Sequence, residues 1–142
     1  MSLGLYLHIP YCFSKCRYCD FYSAPGQRGV PRAYVDALLR ELSRFAPDAP
    51  LRPDTLYFGG GTPSLLDPAD AARLIDAAQP LPGAEITLEA NPETVTEDSL
   101  RAFREAGVNR ISFGVQSARD SQLKTLGRPH TAKQARAAFA AA

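Results

Sequence analysis

Three cysteines, the only ones in the chain, lie within eight consecutive residues as Cys12, Cys16 and Cys19. Their spacing is C-x3-C-x2-C. An odd number of thiols cannot be fully paired within one chain, and cysteines three or four residues apart have poor geometry for a disulfide. Thiols gathered in this way are typical of metal ligands.

Two kinds of metal site fit this loop, and an unrelated grouping of three thiols is a further alternative. A structural zinc ion normally takes four ligands, so a zinc-stabilised α/β module would need His8 or a residue outside this chain as the fourth. Three cysteines can instead hold three corners of a [4Fe–4S] cluster and leave one iron open. The spacing favours the cluster, and the missing fourth ligand would then be the functional feature.

The loop follows a predicted strand at 5–9, where apolar residues alternate with polar or amphipathic ones. Three further strands are predicted at 55–58, ending in the glycines 59–61, at 85–89 and at 110–116. Helices are predicted at 31–45, after an Asp67 cap with Pro68 in the first turn, after a Thr96 cap, at 118–126 and at 132–142.

The alternation of strands and helices predicts parallel strands joined by right-handed crossovers. In each strand one face is apolar and the other is polar or small, as with Leu5 and Leu7 against Tyr6 and His8. A doubly wound sheet should be apolar on both faces, so the pattern favours a partial (β/α) TIM-like barrel with a polar interior. Four strands are too few to close a barrel. We therefore expect 1–142 to be the N-terminal part of a longer core domain.

Polar or small residues follow the predicted strands at their carboxyl ends, where active sites of parallel α/β folds lie. The glycines 59–61 allow close approach of a ligand or form a simple turn. Glu89 and Gln116 fall on the inward face by parity. A buried carboxylate needs a partner, so Glu89 is either a ligand contact or a solvated strand end, and Gln116 is either a ligand contact or a paired polar core residue.

The segment YLHIPYC, continued as C-x3-C-x2-C, resembles the radical S-adenosylmethionine (SAM) superfamily. The resemblance implies a radical SAM barrel and a [4Fe–4S] cluster held by Cys12, Cys16 and Cys19. The amino and carboxylate groups of SAM would chelate the fourth iron. Reductive cleavage of SAM then yields a 5′-deoxyadenosyl radical, so the cofactors carry the chemistry.

The same resemblance implies a set of SAM contacts on this chain. Arg128 matches an arginine that meets the SAM carboxylate, for which a planar guanidinium is well suited. No catalytic residue is assigned, and neither His8 nor His130 receives a role. The implied contacts are Tyr6, Gly60, Gly61, Thr62, Glu89, Gln116 and Arg128.

Five segments, YLHIPYC, FGGGTPS, EANPE, RISFGVQS and LGRPH, resemble the oxygen-independent coproporphyrinogen III oxidase family over nearly the whole chain. One branch decarboxylates two propionates of coproporphyrinogen III, and its motif usually continues as Cys-Gly-Cys. The other branch, the HemW haem chaperones, typically continues as Cys-Asp-Phe. This chain has Cys19, Asp20 and Phe21 and so resembles the chaperones. The resemblance implies haem or porphyrinogen, haem-accepting proteins and an electron donor as partners.

The composition excludes some other functions. The chain has 142 residues, a net charge of +1 and 45% hydrophobic residues, as expected for one globular domain. A nearly neutral charge gives no reason to expect nucleic acid or an anionic membrane as a partner. No apolar run approaches the roughly 20 residues of a membrane span. The first four residues lack the features of a secretory leader, so we expect a cytoplasmic protein.

Overall fold

A computed structural model describes residues 2–142, and Met1, the first residue of the predicted domain, lies outside them. One sheet contains the strands β1 (Gly4–Ile9), β2 (Thr55–Gly60), β3 (Glu85–Ala90) and β4 (Arg110–Phe113). The α-helices are α1 (Arg32–Phe45), α2 (Pro68–Ala78), α3 (Glu97–Glu105), α4 (Asp120–Leu126) and α5 (Ala132–Ala141). Short 3-10 turns at Pro63–Leu65 and Pro92–Thr94 follow β2 and β3.

The strands pair in parallel in the order β1-β2-β3-β4. A doubly wound sheet reverses its strand order near the middle, and this sheet does not. Because right-handed crossovers in a sequential order all pass over the same face, the helices α1, α2 and α3 cover one side of the sheet. The predicted partial (β/α) barrel with four parallel strands is confirmed, as an open sheet over the described residues.

The core lies between the helices and the apolar face of the sheet. Ile9, Leu56, Phe58 and Leu88 have no exposed surface. On the opposite face, 54% of Tyr6 is exposed. The alternation predicted from the sequence therefore separates a helix-covered face from a face that is free to line a site.

The helix starts follow the predicted capping residues. Asp67 accepts a hydrogen bond from the Ala69 amide at 2.8 Å, and Pro68 begins α2. Thr96 and Ser99 cap α3 reciprocally, which satisfies amides that have no partner within the helix. No helix described within 2–142 has the length and apolar character of a membrane span.

One predicted strand end is wrong and another is confirmed. β2, predicted to end in the glycines 59–61, ends at Gly60, and Gly59 and Gly60 stay in register with His8 and Ile9 of β1. β4 stops at Phe113 instead of 116. Gln116 has a φ of 67°, and the Ser117 amide donates to the Val115 carbonyl at 2.9 Å, so a tight turn replaces the extended backbone that parity requires.

We expect Phe58→Ala to lower the free energy of unfolding by about 3–5 kcal/mol, because it removes a fully buried ring and leaves a cavity. Phe45→Ala is the matched control. Phe45 is 76% exposed, and its loss should change stability by less than about 0.5 kcal/mol. Urea denaturation followed by circular dichroism measures both variants. Similar losses for the two would contradict this placement of the core.

Candidate functional site

A cavity of about 280 Å³ lies at the carboxyl ends of the strands, beneath the cysteine loop. This is near the lower end of the roughly 300–1,000 Å³ of small-molecule sites. The three thiols and six of the seven predicted SAM contacts line it, namely Cys12, Cys16, Cys19, Gly60, Gly61, Thr62, Glu89, Gln116 and Arg128.

Tyr6, the seventh predicted contact, does not line this cavity. Its ring stacks on Tyr57 with centroids 6.0 Å apart, and its hydroxyl lies 3.1 Å from His8 Nδ1. The other ring nitrogen of His8, Nε2, lies 3.1 Å from the Tyr22 carbonyl. Because a carbonyl only accepts, Nε2 is the donor, and in that tautomer Nδ1 accepts a hydrogen bond from the Tyr6 hydroxyl. His8 thus joins β1 to the far end of the cysteine loop.

The three thiols are free and differ in burial, since Cys12 is 7% exposed while Cys16 and Cys19 are half-buried. Among residues 2–142, no three His, Cys, Asp or Glu side chains converge on one position suitable for a metal ion. A zinc site needs such convergence. A [4Fe–4S] cluster does not, because each cysteine binds a different iron. All three thiols line the same cavity, as the ligands of one cluster must.

The glycines 59–61 make room for the cysteine loop and for β1. A Cβ at Gly59 would lie 2.7 Å from the Tyr6 ring, and one at Gly60 would lie 2.7 Å from the His8 ring. A Cβ at Gly61 would lie 2.8 Å from Cys12 Sγ and 2.7 Å from the Tyr11 carbonyl oxygen. Each of these three positions therefore has room for the hydrogen atom of a glycine and not for a methyl group.

Backbone hydrogen bonds fix the start of the cysteine loop against the end of β2. The Gly61 amide donates to the Ile9 carbonyl and the Thr62 amide to the Tyr11 carbonyl, each at 2.8 Å. The Cys12 amide donates to the Ala24 carbonyl at 3.0 Å. The loop is therefore closed on itself, and it is tied to the end of β2 just before the first thiol.

Arg128 is buried and joins the ends of β3 and β4 to the cysteine loop. Its Nη1 donates to Cys16 Sγ at 3.1 Å, and its Nη2 donates to Asn91 Oδ1 at 2.7 Å and to the Gly114 carbonyl. Its buried Nε has no hydrogen-bond partner in the described part of the chain. A buried donor without a partner is costly, so the guanidinium retains capacity for a ligand.

Glu89 receives two hydrogen bonds from β2. The Tyr57 hydroxyl donates to Oε1 at 2.7 Å and the Gly60 amide to Oε2 at 3.1 Å. Burial raises the pKa of the Tyr57 phenol, and the hydrogen bond to Glu89 raises it further. A carboxylate oxygen can accept more than one hydrogen bond, and Glu89 lines the cavity, so it can accept from a ligand hydroxyl or amine.

Gln116 reaches the cavity rim by a different route from the one predicted. The sequence placed Gln116 on the inward face of β4, but β4 ends at Phe113 and no strand reaches residue 116. A left-handed turn places the Gln116 amide next to Gly114 instead. A Cβ at Gly114 would lie 3.5 Å from Gln116 Nε2. Gln116 does line the cavity, but a turn places it there and not the alternation of side chains along β4.

Sequence reasoning assigned no role to Asn91 or Tyr57. Asn91 lies two residues after Glu89, so the parity that selected Glu89 could also have selected Asn91. Tyr57 shares the polar face of β2 and could have been proposed as the partner of a buried carboxylate. Their partners Arg128 and Glu89 lie 37 and 32 residues away, and local patterns do not reveal such pairs.

His130 contacts the loop after β3 and the loop after β4, next to the cavity. Its Nδ1 lies 3.0 Å from Glu93 Oε2 and its Nε2 lies 3.1 Å from the Val115 carbonyl. The side chain is buried. His130 therefore holds the turn that carries Gln116 against the loop after β3, and it does not face the thiols.

A larger groove of about 690 Å³ lies elsewhere, among α3, β4 and α5. Leu100, Ile111 and Phe139 line it with charged residues of α3. None of the three thiols lies there. The smaller cavity is the one that combines thiols, glycines and a buried cation, and these features fit a [4Fe–4S] cluster with SAM.

A family comparison agrees with this site. The model of the radical SAM superfamily matches residues 6–142. The chain belongs to the radical SAM superfamily. Membership implies a [4Fe–4S] cluster and SAM in general terms and confirms the resemblance read from the cysteine motif.

Two relatives match nearly the whole of this chain. The chain is 46% identical to "Heme chaperone HemW" of Escherichia coli K12, over 96% of this chain and 38% of that protein. It is 41% identical to the bovine mitochondrial "Radical S-adenosyl methionine domain-containing protein 1", over 93% of this chain and 31% of that protein. The chain thus spans well under half the length of these relatives.

A solved structure shares the fold. Coproporphyrinogen III oxidase (HemN) from Escherichia coli superposes with a TM-score of 0.87 at 31% identity, over 99% of this chain and 34% of that one. An archaeal Elp3 from Methanocaldococcus infernus superposes with a TM-score of 0.55 at 15% identity. This second likeness concerns the fold alone.

We expect Gly61→Ala to lower the free energy of unfolding by about 1–3 kcal/mol, because the new methyl group overlaps the Tyr11 carbonyl and Cys12 Sγ. Gly29→Ala is the matched control. A Cβ at Gly29 meets only the Leu65 carbonyl, at 3.9 Å, and should change stability by less than about 0.5 kcal/mol. Denaturant titration compares the two variants. Equal stability would contradict the close fit at Gly61.

Proposed function

We propose that the chain holds a [4Fe–4S] cluster on Cys12, Cys16 and Cys19 and binds SAM at the remaining iron, within a haem chaperone of the HemW type. The observation that carries the cofactor assignment is that all three thiols and the polar ends of β2, β3 and β4 line the same cavity. The chaperone assignment rests on the Cys19-Asp20-Phe21 sequence and on 46% identity to "Heme chaperone HemW".

The residues around the thiols have complementary roles in this proposal. Arg128 supplies a buried cation with a free Nε for the SAM carboxylate. Gly60, Gly61 and Thr62 face the amino end of SAM, and Glu89 and Gln116 offer an acceptor and an amide to its polar groups. Tyr6 supports this set through His8. When bound, the reduced cluster and SAM supply radical chemistry.

We also propose that residues 1–142 are the N-terminal part of the core domain. Within the described residues, β4 pairs with β3 alone and its other edge has no strand beside it. Strand edges are normally paired or covered. Haem, haem-accepting proteins and an electron donor are partners proposed for the full-length protein.

Coproporphyrinogen III oxidase activity is the second candidate. The superposition on HemN with a TM-score of 0.87 favours it. The sequence Cys19-Asp20-Phe21, in place of Cys-Gly-Cys, favours the chaperone.

Cys12→Ala in the full-length protein should abolish the [4Fe–4S] absorption and the iron content after anaerobic reconstitution, because one iron loses its thiolate ligand. The far-ultraviolet circular dichroism should change little, since Cys12 lies in a loop. Ser14→Ala, in the same loop, is the control and should keep about four irons per chain. A complete cluster in Cys12→Ala would contradict the ligand assignment.

A turnover assay separates the two functions. Full-length protein with cluster, SAM and reductant is incubated anaerobically with coproporphyrinogen III, beside a coproporphyrinogen III oxidase as a positive control. We expect no protoporphyrinogen, and we expect haem added separately to stay bound through gel filtration. Formation of protoporphyrinogen would refute the chaperone proposal in favour of the oxidase.

A further inference from the structure

A directed series of hydrogen bonds ends on the sulfur of Cys12. Arg128 Nη2 donates to Asn91 Oδ1 at 2.7 Å, which fixes the orientation of the Asn91 amide. Asn91 Nδ2 then donates to Thr62 Oγ1 at 3.3 Å. An amide nitrogen only donates, so the Thr62 hydroxyl accepts there, and its single hydrogen is left for another acceptor. That acceptor is Cys12 Sγ, at 3.6 Å.

The Thr62 hydroxyl has little freedom to leave this arrangement. Thr62 is 3% exposed and Cys12 is 7% exposed, so water does not compete for the hydrogen bond. The Thr62 amide is tied to the Tyr11 carbonyl at 2.8 Å, one residue before the thiol. Burial strengthens such a contact because the surrounding dielectric constant is low.

The three sulfurs therefore have different surroundings. Cys12 receives the neutral Thr62 hydroxyl, and Cys16 receives the Arg128 guanidinium at 3.1 Å. Within residues 2–142, no side chain donates a hydrogen bond to the Cys19 sulfur. Hydrogen bonds to cysteine sulfurs are among the factors that set the reduction potential of an iron–sulfur cluster.

We infer that the Thr62 hydroxyl, oriented by Asn91 and Arg128, raises the reduction potential of the cluster through Cys12. The inference rests on the cluster assignment in the proposed function. A hydrogen bond donated to a thiolate withdraws electron density from the iron–sulfur bond, so it favours the reduced, more negative cluster. The step is the gain of one electron from an external reductant, with no bond broken and no proton transferred.

The test is a redox titration of the full-length protein, reconstituted anaerobically and kept free of SAM. Dithionite supplies the electrons, and the electron paramagnetic resonance signal of the reduced cluster reports the midpoint potential. Thr62→Val removes the hydroxyl and keeps the shape of the side chain. It should lower the equilibrium constant for reduction about tenfold, which is about 59 mV for a one-electron couple.

Thr62→Ser is the matched control, because it keeps the hydroxyl and should have the wild-type potential to within a small fraction of that shift. Thr62→Ala, which also lacks the hydroxyl, should shift the potential in the same direction as Thr62→Val. Iron and sulfide analysis accompanies each titration and shows that every variant carries the same cluster.

The outcomes separate this inference from the proposed function. Loaded wild-type and Thr62→Val proteins with equal potentials would overturn the inference and leave the cluster assignment intact. The inference is also overturned if Thr62→Val and Thr62→Ala take up no cluster while Thr62→Ser does. The hydroxyl would then be required for cluster binding and would not act by setting the reduction potential. A wild-type protein that binds no cluster would refute the proposed function and this inference together.

Discussion

The close approach of the cysteine loop to the end of β2 is the constraint on which the site depends. The Gly61 and Thr62 amides bind carbonyls on either side of Pro10, and this brings Cys12 Sγ to within 2.8 Å of where a Cβ of Gly61 would lie. Side chains at 59–61 would separate the two segments. The glycines therefore serve the packing of β1 and its loop at least as directly as they could serve a ligand.

The sequential order of parallel strands turns this local contact into a cavity. Every strand ends at the same edge, so the segments after β1, β2, β3 and β4 converge there. Arg128 comes from the loop after α4, yet it reaches Cys16, Asn91 and Gly114 in three of those segments. One buried guanidinium thus orders the ends of three strands without any covalent cross-link.

Sequence patterns predicted the regular parts of the molecule well, because period and capping are local. The Asp67 and Thr96 caps and the apolar face of β2 are where the sequence places them. The end of β4 was mispredicted, since alternation through Gln116 resembles a strand while the Val115–Ser117 hydrogen bond imposes a turn. The Asn91–Thr62–Cys12 contacts were also missed, because they join segments that only the fold brings together.

The turn at Gln116 has a mechanical consequence. A residue other than glycine with a φ of 67° is less stable than in extended or helical backbone by about 1–2 kcal/mol. The neighbouring bond from His130 to the Val115 carbonyl, at 3.1 Å, helps to restrain this conformation. The backbone at the rim of the cavity is therefore strained, and the contact with His130 helps to keep it so. A small displacement of His130 would shift the Gln116 amide.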